Sequence, residues 1–288
     1  VKSLQGEFQF NLSYVSQKNH GPGSARNNGV KNSKGELIVF IDSDCEANNN
    51  WLSNIFNAYK NNEFDAFGGP DDAKENFLPI QLAINFSMTS FFTTGGIRGN
   101  SARMASGFYP RSHNMGVKKK LFEKIGGFGH LRHGQDIELS NRIINEKAVV
   151  KLLKNAVVYH RRRTTLLKFF RQVFNWGVAR VNLAKIDNKM LQAVHFLPSF
   201  GFLISILSVF GSFFLPYIFL PTLVLLLFFL LILCAFGGLK TKSVKVMVYL
   251  ILIIPCQIFG YGLGFFWAFT KRFIFGQASF TGFEKKYY

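Results

Sequence analysis

An α/β sheet domain followed by membrane-crossing helices is the architecture the sequence predicts. Three observations predict it. Apolar strand-like runs alternate with helical periods as far as about residue 190. The composition then changes abruptly near residues 190–195, and residues 196–239 hold no charged side chain. Strands alternating with helices call for a sheet with crossovers, and about 20 apolar residues suffice for one bilayer span.

Taken in order, residues 8–15 alternate like a strand, residues 19–24 (Asn-His-Gly-Pro-Gly-Ser) form a turn, and residues 24–32 read as a short helix. Residues 36–41 are a buried strand that ends abruptly in Asp42-Ser43-Asp44. Leu52, Ile55, Phe56 and Tyr59 give residues 51–61 helical spacing, and residues 65–69 form a strand running into a Gly-Gly-Pro turn. Residues 76–94 are apolar and aromatic, and 95–107 are Gly-rich and basic, the composition of a flexible substrate-side loop. Helices are expected at 118–125 and 136–147, and a last strand at 149–160. Residues 164–184 place Leu167, Phe170, Phe174 and Val178 between basic residues, the pattern of a helix lying in a membrane interface. A helix packed on the domain would look similar.

The apolar stretch 196–239 is about twice one span, and Pro216 and Pro221 near its middle suggest a helical hairpin. Residues 246–270 supply a third apolar segment. Two passes from a cytosolic domain return the basic loop Lys240–Lys245 to the cytosol, as the positive-inside rule expects. A full third pass would place Lys271, Arg272, Lys285 and Lys286 outside, so Pro255 and the glycines at 260, 262 and 264 suggest a broken or re-entrant last segment. The expected organisation is therefore a catalytic part over 1–163, an interfacial helix and linker over 164–195, membrane spans over 196–270 and a basic tail over 271–288.

The formal net charge of +18 invites a nucleic-acid reading. Beyond His195 there are seven basic residues and one acid, so 34 − 7 basic and 16 − 1 acidic residues leave the polar part at +12. Its densest cluster, Arg161, Arg162 and Arg163 with Lys168 and Arg171, lies beside the apolar region, where cations meet anionic headgroups. No nucleic-acid-binding motif accompanies it, so the expected partner is the membrane and not nucleic acid. Three cysteines (Cys45, Cys234, Cys256) imply no disulfide framework. The chain starts at Val1, in mid-pattern, and is expected to be N-terminally incomplete.

Two acidic signals carry chemistry. Asp42 and Asp44, one residue apart in a turn after a strand, can both reach one hard divalent cation such as Mg²⁺ or Mn²⁺, which also binds phosphate oxygens. In isolation such a pair is more often a solvated turn. Gln135-Asp136 opens a helix behind the Gly126–Gly129 turn. An Asp there is most often an N-cap, and more rarely a general base for an attacking hydroxyl. His113, His130, His133 and His160 lack zinc-ligand spacing, and the 34 phenylalanines fit membrane and core.

These blocks in register carry a resemblance. The run N-H-G-P-G-S-A-R-N-N-G-V-K-N-S-K-G-E-L-I-V-F-I-D-S-D, then S-H-N-M-G-V-K-K-K-L-F-E-K-I-G-G-F and G-Q-D-I-E-L-S-N-R-I, resembles family 2 glycosyltransferases of GT-A fold over about residues 10–180. The resemblance implies a Rossmann-like nucleotide-sugar-binding sheet, incomplete at its N-terminus, and an inverting, Mn²⁺- or Mg²⁺-dependent transfer from a UDP- or GDP-sugar. Asp42 and Asp44 match the metal- and diphosphate-binding motif, with Ser43 between them, and Asp136 matches the general base. Arg26 matches a donor contact, and Gly69 and Asn114 fall in pocket blocks.

Gln135 departs from the commoner Glu, as in members that assemble bacterial exopolysaccharide. Arg171, Gln172 and Trp176 faintly resemble the Gln-x-x-Arg-Trp box of processive synthases. That box is not intact, which favours addition of single sugars. The implied acceptor is lipid-linked or a cell-envelope polysaccharide, at the cytoplasmic face of the inner membrane, with a multi-pass anchor. Transfer directly to polyprenyl phosphate is one alternative, and a non-catalytic assembly protein is another. The family's first strands are missing from the chain as given, so upstream sequence is expected to be needed for donor binding.

Overall fold

The computed structural model describes residues 10–74, 76–94, 108–278 and 282. Helix α1 (Pro22–Lys31) leads into strand β1 (Leu37–Ile41), and the Asp42–Asp44 turn leads into β2 (Cys45–Ala47). Helix α2 (Trp51–Lys60), β3 (Ala66–Gly68) and β4 (Asp71–Asp72) follow, then α3 (Pro79–Thr89) and α4 (Phe91–Thr94). The domain closes with β5 (Asn114–Lys118), α5 (Lys119–Lys124), α6 (Gln135–Asn145), β6 (Val150–Leu152) and β7 (Val158–His160). Helices α7 (Leu166–Ile186), α8 (Leu197–Gly211), α9 (Pro216–Thr241) and α10 (Val244–Phe269) complete the chain.

The strands form two mixed sheets, in the orders β1-β5-β3-β6 and β2-β7-β4. β1 explains the layering. Its Ile38 and Phe40 point to one face and pack with α1, α5 and α6 through Val30, Phe122, Leu139 and Ile143. Its Leu37 and Val39 point to the other face and pack with Ile55 and Ala58 of α2. The period of two along a strand thus buries both faces under helices.

Two strand expectations change. Described residues 10–15 form no strand. Phe10, Tyr14 and Val15 are all exposed, so the alternation has no buried face to stabilise it. The run 149–160 is two short strands in different sheets: β6 pairs with β3, and β7 pairs with β2 and β4. A turn at Leu153–Ala156, closed by Ala156 N–H donating to Leu153 O at 3.0 Å, separates them. The Gly-rich loop expected at 95–107 lies outside the described residues.

Three helices are long and apolar enough to cross a membrane, over Ala193–Gly211, Pro216–Thr241 and Val244–Ile274. The third is continuous through Pro255, contrary to the broken segment expected. Its glycines act as packing positions instead. Gly260 and Gly264 face α7, and Gly262 faces Phe202 of α8. A methyl group at Gly264 would lie 2.1 Å from Phe174 O, so the two helix backbones touch there. Helix α7 is consequently seated along α10, with Phe169, Val173 and Val178 fully buried. Helix α3 ties the sheet domain to this bundle, since Ala83, Ile84, Phe86 and Met88 share one core with α7, α9 and α10.

Candidate active site

The Gly126–Gly129 turn is the joint on which the site is built. Gly126 and Gly127 adopt φ of 78° and 67°, a region that favours glycine. Asn27 of α1 clamps the turn from one side, donating to Phe128 O at 2.9 Å and accepting from Phe128 N–H at 2.8 Å. Arg142 of α6 clamps it from the other, donating to Gly127 O at 2.6 Å while paired with Glu138. The N-terminal ends of α1 and α6 are thereby brought together, and a methyl group at Gly23 would lie 2.8 Å from the Gln135 side chain.

This junction puts Arg26 and Asp136 at one mouth. Arg26 Nη2 donates to Asp42 Oδ1 at 2.6 Å and its guanidinium stands 5.4 Å from the Phe128 ring centre. Asp42 Oδ2 has no hydrogen-bond partner among the described residues. Asp136 faces Arg111 Nη1 at 3.8 Å. Gly134 (φ 83°), not Asp136, is the N-cap of α6, and Asp136 sits in the first turn, where its Oδ1 accepts from Ile137 N–H at 2.9 Å. Its negative charge suits the helix N-terminus.

Arg26, Asp42, Arg111, Gln135 and Asp136 line one cavity of about 1510 Å³. Arg171, Gln172 and Trp176 of α7 line the same cavity, so three residues about 35 positions further along the chain join the two carboxylates. Asn114 and Gly69, expected at the pocket, are placed otherwise. Asn114 is fully buried and donates to Pro70 O at 3.0 Å and Ala156 O at 2.7 Å, while accepting from Trp51 Nε1–H at 3.0 Å. A methyl group at Gly69 would lie 2.3 Å from the Asn114 amide. The pair braces the turns behind the site because a buried amide must find partners for all its polar atoms. Ser43 and Asp44 also lie outside the cavity lining, on the turn between β1 and β2.

Asp44 meets a partner that sequence spacing did not reveal. His160 Nε2 lies 3.4 Å from Asp44 Oδ1. The contact holds Asp44 below its ordinary carboxylate value, through hydrogen bonding to His160 first and in opposition to burial. Burial works against protonation of His160, yet hydrogen bonds to Asp44 and Asp71 raise it above its ordinary value. The register Cys45↔His160 between β2 and β7 is the cause, and nothing in the local sequence around His160 signals that pairing.

Asp44, Cys45 and His160 bring one ligand atom each within 4.8 Å of one another. Burial pushes the Cys45 thiol up to about 12, so without an ion the thiol is protonated. The remaining carboxylates, Asp44 held ionised and Asp42 with one oxygen uncommitted, are the hard-oxygen donors that Mg²⁺ or Mn²⁺ takes alongside phosphate oxygens. In residue type the two carboxylates suit such an ion, although only Asp44 belongs to a cluster of ligand atoms. A second group, Asp71, His113 and His160, is filled by Arg162, whose Nη1 donates to Asp71 Oδ2 at 2.6 Å.

Residues 1–126 match the family model described as glycosyl transferase family 2. That match covers somewhat less than half of the chain and makes residues 1–126 similar to a family 2 glycosyltransferase domain. The matched residues include Arg26, Asp42 and Asp44 and stop short of Asp136. The chain is 22% identical over 203 residues to the glycosyltransferase AglE of Haloferax volcanii, covering 62% of this chain and 61% of that protein. It thus spans about three fifths of the length of that curated relative. Among solved structures, S. aureus TarS residues 1–349 in complex with UDP-GlcNAc is similar over 96% of this chain and 78% of that chain. With 14% identity and a TM-score of 0.42, that likeness bears no weight for the site.

Proposed function

We propose that this glycosyltransferase moves a sugar from a nucleotide-sugar donor to a hydroxyl of a lipid-linked or cell-envelope saccharide, at the cytoplasmic face of the membrane. The observation that carries the reading is the shared cavity. Asp42 with Arg26, and Asp136 with Arg111, meet at one mouth, and the same space continues between the apolar helices.

The chemistry assigned to the residues is inversion at the anomeric carbon. The Asp136 carboxylate takes the proton of the acceptor hydroxyl as that oxygen forms its bond to the anomeric carbon. The bond from that carbon to the donor's phosphate oxygen breaks, and its electron pair leaves with the nucleoside diphosphate. Arg26 and the cations lining the cavity stabilise the negative charge on the departing group, in a mouth partly screened from water. Asp42 and Asp44 would hold Mn²⁺ or Mg²⁺. Such an ion, when bound, supplies Lewis-acid neutralisation of the diphosphate. The Arg26–Asp42 ion pair holds the Asp42 carboxylate at the cavity lining.

Membranes containing the chain, incubated with labelled nucleotide-sugars, divalent cation and a lipid extract, test the reading by label in the lipid phase. Incorporation that chelator abolishes and that Asp136→Asn removes supports it. Incorporation undiminished in Asp136→Asn, or none with any donor from folded protein, overturns it. Sidedness rests on Lys240, Lys242 and Lys245 between α9 and α10. A Lys242→Cys protein labelled by an impermeant maleimide in intact cells would contradict the cytoplasmic placement.

A further inference from the structure

Helices α7 and α10 run side by side in the same direction. Their contacts climb together. Cys256 Sγ lies 3.9 Å from Leu166 O, a methyl group at Gly260 would meet Val173 at 2.4 Å, and Lys185 Nζ stands 4.2 Å from the Phe273 ring centre. Between these, a methyl group at Gly177 would lie 2.3 Å from Tyr261 O. The pairing follows α10 for about 26 Å at 1.5 Å per residue. Both ends of α7 are fixed to the sheet domain. Only residues 161–165 separate its start from β7. At its far end Leu183 shares a core with Ile137 of α6, and Asp187 Oδ2 accepts from Asn141 Nδ2 at 3.0 Å. Helix α7 therefore lies along the domain and does not leave it for the far face of a membrane.

The first half of α10 is held to the domain as well. Val246, Leu250, Ile253 and Ile254 share a core with Ala83, Ile84, Phe86 and Met88 of α3. Burial sets this helix apart: 39% of its most apolar stretch is buried, against 17% and 11% for the stretches that hold α8 and α9. Its outward face is one apolar stripe, with Val248, Leu252, Leu263, Trp267 and Ile274 41–67% exposed. Cations stand at both ends, Lys240, Lys242 and Lys245 around its start and Lys271 and Arg272 at its close. Lys168, Arg171, Arg180 and Lys185 are spread along α7, and neither helix holds an acidic residue. An upright α10 would carry Arg171 and Arg180 of its neighbour to the depth of the hydrocarbon, where charge is costly.

We infer that α10, though long and apolar enough to cross a bilayer, lies with α7 in the surface of the leaflet that faces the sheet domain. Its stripe from Val248 to Ile274 enters the acyl boundary, and the cations of α7 and of its own ends meet anionic headgroups. Trp267, with Lys271 Nζ 5.5 Å from its ring centre, pairs an aromatic body with a cation as interfacial anchors do. Only the α8–α9 hairpin spans. Its tip carries Phe213, Phe214 and Tyr217 at 78%, 83% and 95% exposure, and α9 returns to the domain where Leu233 and Cys234 join the α3 core. Two passes leave the cations at both ends of α10 on the side of the sheet domain, which the positive-inside rule favours for a cytosolic domain. Because α6 packs on α7 through Ile137 and Leu183, the α7–α10 pair sets the height of the Asp136 mouth above the leaflet. This placement does not depend on the transferase reading.

Three substitutions in the full chain read sidedness: Phe214→Cys at the hairpin tip, Lys242→Cys between α9 and α10, and Phe275→Cys beyond α10. Intact cells are treated with an impermeant maleimide, then again after permeabilisation, and the parent with its three native cysteines sets the background. Lys242→Cys and Phe275→Cys should react alike, only after permeabilisation, while Phe214→Cys reacts in intact cells. Opposite behaviour of Lys242→Cys and Phe275→Cys demands a third pass and overturns the proposal. So does a Phe214→Cys that reacts from the same side as both. If the two flanking cysteines react in intact cells and Phe214→Cys is protected, the cytoplasmic reading falls alone. Depth is a second measurement, made in vesicles containing phosphatidylglycerol with the native cysteines replaced by alanine. Nitroxides at Leu252→Cys, Leu263→Cys and Ile274→Cys should share one depth, about 5–10 Å into the headgroup boundary, read by relaxation with oxygen and a nickel chelate. A label at 252 near the bilayer centre with one at 274 in water marks a span. Labels shielded from both reagents mark a protein partner on the stripe. Either result overturns the proposal.

Discussion

Arg162 and Asp71 form a buried ion pair, Nη1 to Oδ2 at 2.6 Å, with side chains 2% and 4% exposed. The guanidinium also donates twice to Asn85 Oδ1 of α3, at 3.0 Å from Nε and 2.7 Å from Nη2. Arg162 O accepts from Gln81 Nε2 at 2.7 Å. One residue thus joins β4, the segment after β7 and the helix that docks the sheet domain on the membrane bundle. Despite the burial that opposes ionisation, Arg162 and His113 hold the Asp71 carboxyl well below its ordinary range.

Removing one partner of that pair leaves a charge in a nearly dry site. Asp71→Asn or Arg162→Ala should destabilise the protein by about 3–5 kcal/mol. Denaturant or thermal unfolding of the detergent-solubilised protein reads this directly. A loss under about 1 kcal/mol would show that water reaches the pair.

Asp136→Asn preserves shape and removes the proposed base. Transfer should fall by about 10²–10⁴-fold, with lipid and donor binding retained and the unfolding midpoint unchanged within error. Parallel activity and binding assays separate the outcomes, since a fall caused by misfolding would lower both.

Asn114→Ala leaves Pro70 O and Ala156 O without their donor and the Trp51 indole N–H without its acceptor. A loss of about 2–3 kcal/mol is expected, read by chemical denaturation. Activity should fall only in proportion to the folded fraction, because Asn114 braces the site and does not line it.

Gly264→Leu should force α7 from α10, where even a methyl group would meet Phe174 O at 2.1 Å. Overpacking of this kind costs about 1–3 kcal/mol. Because α7 also carries Gln172 and Trp176 into the cavity, transfer should weaken beyond the loss of folded protein. Limited proteolysis within α7, compared with activity per folded molecule, checks both halves.

Asp65 gives a pH dependence with a definite sign. Val149 N–H and the Lys118 ammonium lower its carboxyl below the ordinary 3.8 in the folded chain. A depressed folded value contributes stability that is present above the unfolded value and lost as pH falls through the folded one. Asp65→Asn should therefore be less stable than the parent at neutral pH. The gap should close as the pH drops below about 4, the unfolded carboxylate range. Unfolding midpoints across that range measure it, and a gap that persists at low pH would mean the effect is not ionisation.

The sequence by itself determined the α/β class, several of its strands and helices and the apolar segments after residue 196, though not β5 or the division of residues 149–160. Each of these depends on local periodicity or length: Ile38 and Phe40 alternate with Leu37 and Val39, and 196–239 simply lacks charge. It also put Asp42, Asp44 and Asp136 forward, because short turns and helix starts carry residue types in a local pattern. Only the tertiary structure decided which groups face one another. His160 reaches Asp44 because β2 and β7 pair, although 115 residues separate Cys45 from its partner in that register. Asn114 became a brace because its amide is enclosed by two turns. The glycines of α10 seat a helix instead of breaking one, and the cations after β7 join an apolar slot formed by α9 and α10. Such pairings depend on contacts between distant segments, whose closeness no local spacing encodes, so burial and partner choice emerge only when the layers pack.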